Sequence, residues 1–375
     1  MEAVSVVRCQ DYHPATVEKG VLEAVSLLGG WDKFVRRGDK VLIKPNLLTG
    51  EPPEKGVTTH PSLVKAVVLQ IKETGGIPMI GDSPSLSYGL VRVAEKAGIK
   101  EVADYCGAKL VEFDESIEVD NPSEGTFRRF EIARQVFDFD VIVNLPKLKT
   151  HSQMLLTLAV KNLFGCVVGK KKAQWHFRAG SDRLLFARML VELCQTIKPQ
   201  LTIVDGVIAM EGDGPQSGNL RQLGLILAGR DCVALDMVIT RLLGLDPLLL
   251  PTNLVARKMG IGPVDIEEIK ILGEELKKLE VNDFQLPRYS TLAWNLPHWL
   301  QRRLKRSLTP LPYVELSKCK FCRNCLEACP TGAIKETNGR VIINYDKCIT
   351  CFCCQEACPE GAIQLRGRWL LRLLS

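Results

Sequence analysis

The sequence lacks the features of several large protein classes. No apolar run approaches the roughly 18–20 residues that span a bilayer, so we expect no transmembrane segment. The first residues have neither the basic region nor the apolar core of a signal peptide, which predicts a cytoplasmic protein. Aromatic residues make up only 6% of the chain and no segment is of low complexity, so extensive disorder is not expected.

Cysteine is scarce in most of the chain and dense at its end. The first 318 residues contain five cysteines, whereas the last 57 contain nine. In a reducing compartment, a dense group of thiols favours metal ligation over disulfides. Eight of the nine form two runs of the pattern C-x2-C-x2-C-x3-C-P: Cys319, Cys322, Cys325, Cys329 and then Cys348, Cys351, Cys354, Cys358.

This spacing predicts two [4Fe–4S] clusters, because in bacterial two-cluster runs the fourth cysteine of each run ligates the other cluster. One cluster is predicted on Cys319, Cys322, Cys325 and Cys358, and the other on Cys348, Cys351, Cys354 and Cys329. Each fourth cysteine is expected to open a helix whose first turn accommodates the proline that follows. A pair of zinc sites is the alternative, since zinc also accepts four thiolates. Cys353 fits neither spacing, and we expect it to be a free thiol.

The end of the chain resembles the bacterial-type two-cluster ferredoxins over residues 313–366. The resemblance implies low-potential, one-electron transfer. Two clusters with their thiolates would lower the formal net charge from +6 to about +2, which is too little to predict nucleic acid binding.

Short apolar strands alternate with amphipathic helices in the first 280 residues. Strands are predicted at 41–43, 78–80, 141–143, 201–204 and 225–227, and helices at 17–28, 61–74, 91–97, 183–197 and 233–243. Strands without apolar–polar alternation are typical of a mainly parallel sheet covered on both faces. The predicted fold is therefore α/β, a layered sheet with helices on both faces, followed by a small α+β two-cluster domain. No G-x-G-x-x-G follows a strand, so a standard dinucleotide fold is not indicated.

The predicted boundaries are an α/β domain at 1–283, a linker at 284–312, the cluster domain at 313–366 and a tail at 367–375. The linker is basic, contains four prolines and has no acidic residue. One short helix is predicted around Trp299–Leu304. We interpret it as a solvated linker, with an interfacial membrane helix or a docking site for an acidic protein as alternatives.

Charged side chains follow the predicted strands and form a candidate site. In a parallel sheet the carboxyl ends of the strands lie at one edge, where ligands bind. We expect one pocket there that binds a small anionic substrate and faces the clusters, with His151 or an aspartate moving protons. The alternatives are helix caps or turns for the aspartates and solvent exposure for the lysines. The candidate residues are Lys44, Asp82, Lys147, Lys149, His151 and Asp205.

A glycine- and lysine-rich stretch at 161–172 is a second candidate for anion binding. It lacks the order of a Walker A loop, and a plain basic loop is an equal alternative. Trp175, His176 and Arg178 follow it and could line the same site.

Several of these motifs together resemble the "domain of unknown function 362" family over roughly residues 2–280. They are Lys44-Pro45-Asn46, Thr59-His60-Pro61, Gly81-Asp82-Ser83-Pro84, the stretch 146–151, the stretch 161–165 and Asp205-Gly206. Members of this family often carry a two-cluster ferredoxin tail. The resemblance implies an iron–sulfur protein with a redox role and no defined reaction.

Three functions are consistent with the sequence. The first is an electron-transfer protein or oxidoreductase whose cluster domain exchanges electrons with a substrate or a redox partner protein. The second is a non-catalytic assembly or redox-sensing protein. The third is an isomerase or transferase with peripheral clusters. Two adjacent clusters favour the first, because one would suffice for a structural role.

Overall fold

The computed structural model describes residues 1–85, 89–123, 125–169, 171–288 and 309–368. The strands within these ranges are β1 Glu2–Arg8, β2 Lys40–Pro45, β3 Ile77–Asp82, β4 Lys109–Glu112, β5 Ser116–Asp120, β6 Arg129–Ala133, β7 Val141–Leu145, β8 Lys147–His151, β9 Leu155–Thr157, β10 Leu201–Glu211, β11 Asn219–Gly229, β12 Ile269–Gly273, β13 Leu311–Val314, β14 Ile334–Thr337, β15 Arg340–Ile343 and β16 Ile363–Arg366. The α-helices are α1 Pro14–Leu27, α2 Pro61–Glu73, α3 Leu90–Lys96, α4 Ile99–Cys106, α5 Ala159–Asn162, α6 Lys171–Ala179, α7 Arg183–Ile197, α8 Cys232–Leu242, α9 Pro251–Met259, α10 Leu276–Leu279, α11 Asn324–Glu327 and α12 Cys353–Glu356.

A ten-stranded sheet organises the first 280 residues. Eight strands lie in the order β12-β1-β11-β10-β7-β2-β3-β4, while β8 pairs with β10 and β9 pairs with β8. Only β11 and β9 run antiparallel to the neighbours with which they pair in this sheet. The predicted α/β fold with a mainly parallel sheet is therefore confirmed.

Apolar side chains on both faces of the sheet form two cores. On β2, Val41 and Ile43 pack with α1 and α2, whereas Leu42 packs into the core that contains α7 and α8. Each strand therefore needs apolar residues at successive positions, which is the physical reason for the missing alternation.

The predicted helices lie where expected, with ends shifted by up to three residues. Two of the sheet predictions change. The predicted strand at 225–227 belongs to β11, which is antiparallel and lies between β10 and β1. Residues 147–151, expected as a loop after β7, form strand β8, and all five are buried.

The cluster domain is built from two similar halves. Strand β13 pairs with β16 and β14 pairs with β15, both antiparallel. Phe321 and Arg323 adopt left-handed backbone conformations, as do Thr350 and Phe352 at the equivalent positions of the second half. Such conformations are uncommon outside glycine and allow the tight loops that gather three thiols. The helices α11 and α12 contain the third cysteine of each run, so the expectation that the fourth cysteine opens a helix was wrong.

The described part of the predicted linker lies on the α/β domain. Phe284 is buried in the core, and Gly212 donates a backbone hydrogen bond to the Gln285 carbonyl at 2.7 Å. The helix predicted around Trp299–Leu304 lies outside the described residues, as does the end of the tail from residue 369. Among the described residues, none of the helices is long and apolar enough to cross a membrane.

Candidate functional site

One set of four cysteines surrounds a small cavity in the cluster domain. Cys319, Cys322 and Cys325 of the first run line it together with Cys358 of the second, around about 350 Å³ of empty space. We name these four residues the outer cysteine group, because Cys322 is exposed to solvent. The crossing of Cys358 to the first run is the arrangement that the spacing predicts.

The other four cysteines form the inner cysteine group: Cys329, Cys348, Cys351 and Cys354. Burial raises the pKa of the Cys348 thiol, and the neighbouring Cys351 and Cys329 thiolates raise it further. Burial likewise raises the pKa of Cys354, with Cys351, Cys348, Cys325 and Cys329 adding repulsion. Thiols crowded in this way resist ionisation on their own. A bound cationic centre would relieve the repulsion, so both groups suit an iron–sulfur cofactor.

A second cavity lies between the α/β domain and the cluster domain, and we name it the interdomain pocket. It encloses about 670 Å³ of empty space, its open mouth included. The α/β side contributes Lys44, Asn46, Leu48, Asp82, Ser83, Ser85, Lys161, Asn162, Phe164, Gly165, Lys172, Ala173 and His176. The cluster domain contributes Ala328, Cys353 and Glu356. Cys353, which we expected to be a free thiol, thus lies at the pocket wall between two cysteines of the inner group.

The Lys44–Asp82 ion pair lies in this pocket. Lys44 ends β2 and Asp82 ends the adjacent parallel strand β3, so their side chains meet at one edge of the sheet. The Lys44 Nζ and Asp82 Oδ1 atoms are 2.8 Å apart, and both side chains are almost fully buried. A Cβ atom at Gly165 would lie only 2.2 Å from Asp82 Oδ1. The glycine therefore lets the backbone approach the pair.

Lys147 and Asp205 form a separate buried cluster. The Lys147 Nζ and Asp205 Oδ2 atoms are 2.9 Å apart. The Tyr12 hydroxyl donates to Asp205 Oδ1 at 2.7 Å, and the Tyr12 ring stacks on His60. None of these residues is among those that line the interdomain pocket in the described part of the chain. The single pocket expected for six charged residues is therefore divided between two sites.

Lys149 and His151 lie behind the pocket wall. The Lys149 ammonium donates to Asn46 Oδ1 at 2.8 Å and to the Val57 carbonyl at 2.6 Å. His151 Nδ1 accepts backbone hydrogen bonds from residues 153 and 154, so its proton lies on Nε2. That nitrogen lies 2.7 Å from Glu356 Oε1 of the cluster domain.

The His151–Glu356 contact joins the two domains across 205 residues of sequence. Burial lowers the pKa of His151 to about 4, and Lys161 adds to this effect. The neutral imidazole therefore donates to the Glu356 carboxylate. Gln216 also donates to the Glu356 backbone carbonyl. Both nitrogens of His151 have partners, which leaves it no free nitrogen for the proton transfer that we expected of it.

Sequence reasoning missed Glu356 and Tyr12 entirely. Glu356 lies two residues after Cys354, at the end of α12, and nothing in its own run indicates a partner in the α/β domain. Tyr12 precedes α1, far in sequence from Asp205. His176, named only as a neighbour of the stretch 161–172, lines the pocket.

The Lys149→Met variant is expected to lose a rise of stability with pH. Burial lowers the pKa of the Lys149 ammonium from 10.5 to about 7, and the nearby Lys161 and Lys147 add repulsion. Between these two values the unfolded chain binds the proton and the folded chain does not, so the free energy of unfolding rises with pH. Urea unfolding of anaerobic protein at pH 7 and pH 9 should show wild type gaining on the order of 2 kcal/mol over the variant. Equal changes in both proteins would contradict the assignment.

Comparison with known proteins identifies both parts of the chain. Residues 41–241 match the family model "Domain of unknown function (DUF362)", and residues 311–359 match a 4Fe-4S dicluster domain. The molecule is thus an iron–sulfur protein in which an α/β domain carries a ferredoxin-type module. The chain belongs to the DUF362 family, as its motifs predicted.

A curated relative has the same extent as most of the chain. The "Thylakoid-associated protein sll1697" of Synechocystis sp. is 40% identical over 308 residues, covering 81% of this chain and 94% of the relative. Among solved structures, the lactate racemase apoprotein from Thermoanaerobacterium thermosaccharolyticum aligns with a TM-score of 0.40 and 10% identity. That alignment covers 61% of this chain and 54% of the racemase chain.

Proposed function

We propose that this chain is an electron-transfer protein or oxidoreductase that exchanges single electrons with a small anionic molecule in the interdomain pocket. The observation that supports this most is the composition of the pocket wall. Lys44 and Asp82 lie on one side, and Cys353 and Glu356 of the cluster domain lie on the other. Cys353 separates Cys351 from Cys354, so the pocket directly adjoins the inner cysteine group.

Each cysteine group would hold one [4Fe–4S] cluster, giving two per chain. When bound, a cluster supplies one-electron transfer whose potential depends on hydrogen bonds to the sulfur atoms. The Ala333 N–H lies 3.2 Å from Cys329 Sγ, and the Ala362 N–H lies 3.2 Å from Cys358 Sγ. These equivalent donors stabilise negative charge on one ligand sulfur of each group.

The two groups would have different roles because their surroundings differ. Cys322 of the outer group is exposed, and the exposed Phe321 lies beside it. Cys351 and Cys354 of the inner group are buried next to the pocket. A redox partner protein would therefore exchange electrons at the outer group, and the bound molecule would do so near the inner group.

Filling the pocket tests this proposal. Ala173 lines the pocket on helix α6, so Ala173→Phe should occupy it without removing a charged group. The chain is reduced anaerobically, and reoxidation by a panel of small oxoacids is followed by cluster absorbance. We expect at least one oxoacid to reoxidise wild type and to lose this ability with Ala173→Phe. Iron content and reoxidation by a viologen dye should stay unchanged. Equal rates in both proteins for every oxoacid would favour a sensing or assembly role instead.

A cytoplasmic location is also a proposal. The relative named as thylakoid-associated suggests attachment to a membrane surface as the alternative. The basic stretch at 284–312 is the segment of the sequence that would serve such attachment. Sedimentation of the full chain with anionic vesicles would distinguish the two locations.

A further inference from the structure

The interdomain pocket contains three lysines, and two of them have protein partners. Lys44 pairs with Asp82 and donates to the Pro45 carbonyl. Lys172 donates to the Ser83 hydroxyl and to the carbonyls of Ser83 and Pro84, which uses all three of its N–H groups. Lys161 has no hydrogen bond or ion pair within the described ranges, although it is partly buried. The pocket thus contains one cation available to a ligand.

His176 contributes a second polar group without a partner. It is only 3% exposed, and its Nδ1 atom has no hydrogen-bond partner in the described structure. The ring is held in place by stacking on Phe186 at 4.3 Å and by an edge contact with Phe164. An unpaired polar atom in a buried position costs free energy, which a hydrogen bond to a bound molecule would recover.

Charge and proximity both favour an anion between these two residues. The three lysines of the pocket face two carboxylates, Asp82 and Glu356, which leaves one positive charge. Burial lowers the pKa of His176 to about 4, and the Lys161 charge is near enough to contribute. His176 is therefore neutral near pH 7 and offers one N–H donor. A ligand with a single negative charge would neutralise the pocket.

We propose that Lys161 and His176 bind the carboxylate group of a small monoanionic molecule in the interdomain pocket. The inference rests on the proposed function only in naming the molecule that would exchange electrons there. The binding itself requires no electron transfer, and it can be measured at equilibrium on the oxidised protein.

Calorimetric titration of the anaerobic, cluster-loaded full chain tests this proposal, with acetate and propionate as probes. A charge-assisted hydrogen bond contributes enough that Lys161→Met should weaken binding about tenfold to a hundredfold. His176→Phe keeps an aromatic ring against Phe186 and should weaken binding about threefold to tenfold. Lys161→Arg should retain most of the affinity. Lys270→Met removes an exposed charge on the edge strand β12 and should bind as wild type does.

The neutral analogue acetamide provides a test that needs no variant. Wild type should bind acetate at least about tenfold more tightly than acetamide, since only acetate pairs with the lysine charge. Equal affinities, or unchanged binding in Lys161→Met, would overturn the proposal. Tighter binding of inorganic phosphate than of either carboxylate would overturn the assignment to a monoanion. Lys161-dependent binding with reoxidation insensitive to Ala173→Phe would instead reject only the proposed function.

Discussion

Replacing Cys329 with alanine is expected to remove the cluster proposed for the other cysteine run. Cys329 lies near enough to Cys348 and Cys354 for its thiolate to raise their pKa values. The cavity lined by the first three cysteines of its own run contains Cys358 instead. Loss of one ligand of four should therefore affect the inner group and spare the outer group.

Iron and sulfide analysis with electron paramagnetic resonance of the reduced protein would measure this. Wild type should contain about eight iron and eight sulfide per chain, and Cys329→Ala about four of each. Cys358→Ala should show the opposite loss, and the two variants together would assign both signals. Cys353→Ala is the matched control and should retain both clusters. Loss of the outer-group signal alone in Cys329→Ala would show that the ligands do not cross, and stoichiometric zinc without sulfide would exclude clusters.

Lys44→Met is expected to destabilise the α/β domain strongly. The variant leaves the Asp82 carboxylate buried with one remaining hydrogen bond, from the Leu47 N–H at 3.1 Å. Removing one partner of a buried ion pair costs about 3–5 kcal/mol, because the other charge stays without compensation. The free energy of unfolding in urea, measured anaerobically, should fall by this amount.

Two controls separate charge burial from lost packing. The double variant Lys44→Met/Asp82→Asn removes both charges and should recover part of the loss, since no uncompensated carboxylate remains. Arg129→Met breaks an exposed pair with Asp120 and should cause a much smaller change. A single variant as stable as wild type would mean that water reaches Asp82 and compensates its charge.

The main elements of the fold could be predicted because their signals are local. Apolar runs on both faces of β2 and β7 indicate buried parallel strands, and the 183–197 pattern gave the bounds of α7. Strand β8 escaped prediction because Lys147, Lys149 and His151 look like loop residues. Their charges are compensated by partners elsewhere in the chain, such as Asp205 and Glu356, which local polarity does not indicate.

The candidate site was predictable only in part for the same reason. Lys44 and Asp82 end adjacent parallel strands, so topology alone brings them together. Lys147 and Asp205 also lie at the sheet edge, yet Tyr12 and His60 cover them and separate them from the pocket. A rule that places strand ends at one edge does not specify which of them face a common cavity.

The sequence by itself determined the family, the layered sheet and the cysteine runs. These features depend on spacing over a few residues, and the backbone geometry of one tight loop or one strand suffices to produce them. Only the tertiary structure decided that α12 docks on the sheet edge through Glu356 and His151. It also decided that Lys161 and His176 face the same pocket as Cys353. Contacts between distant residues depend on how whole elements pack, and local periodicity indicates which residues are buried but does not identify their partners.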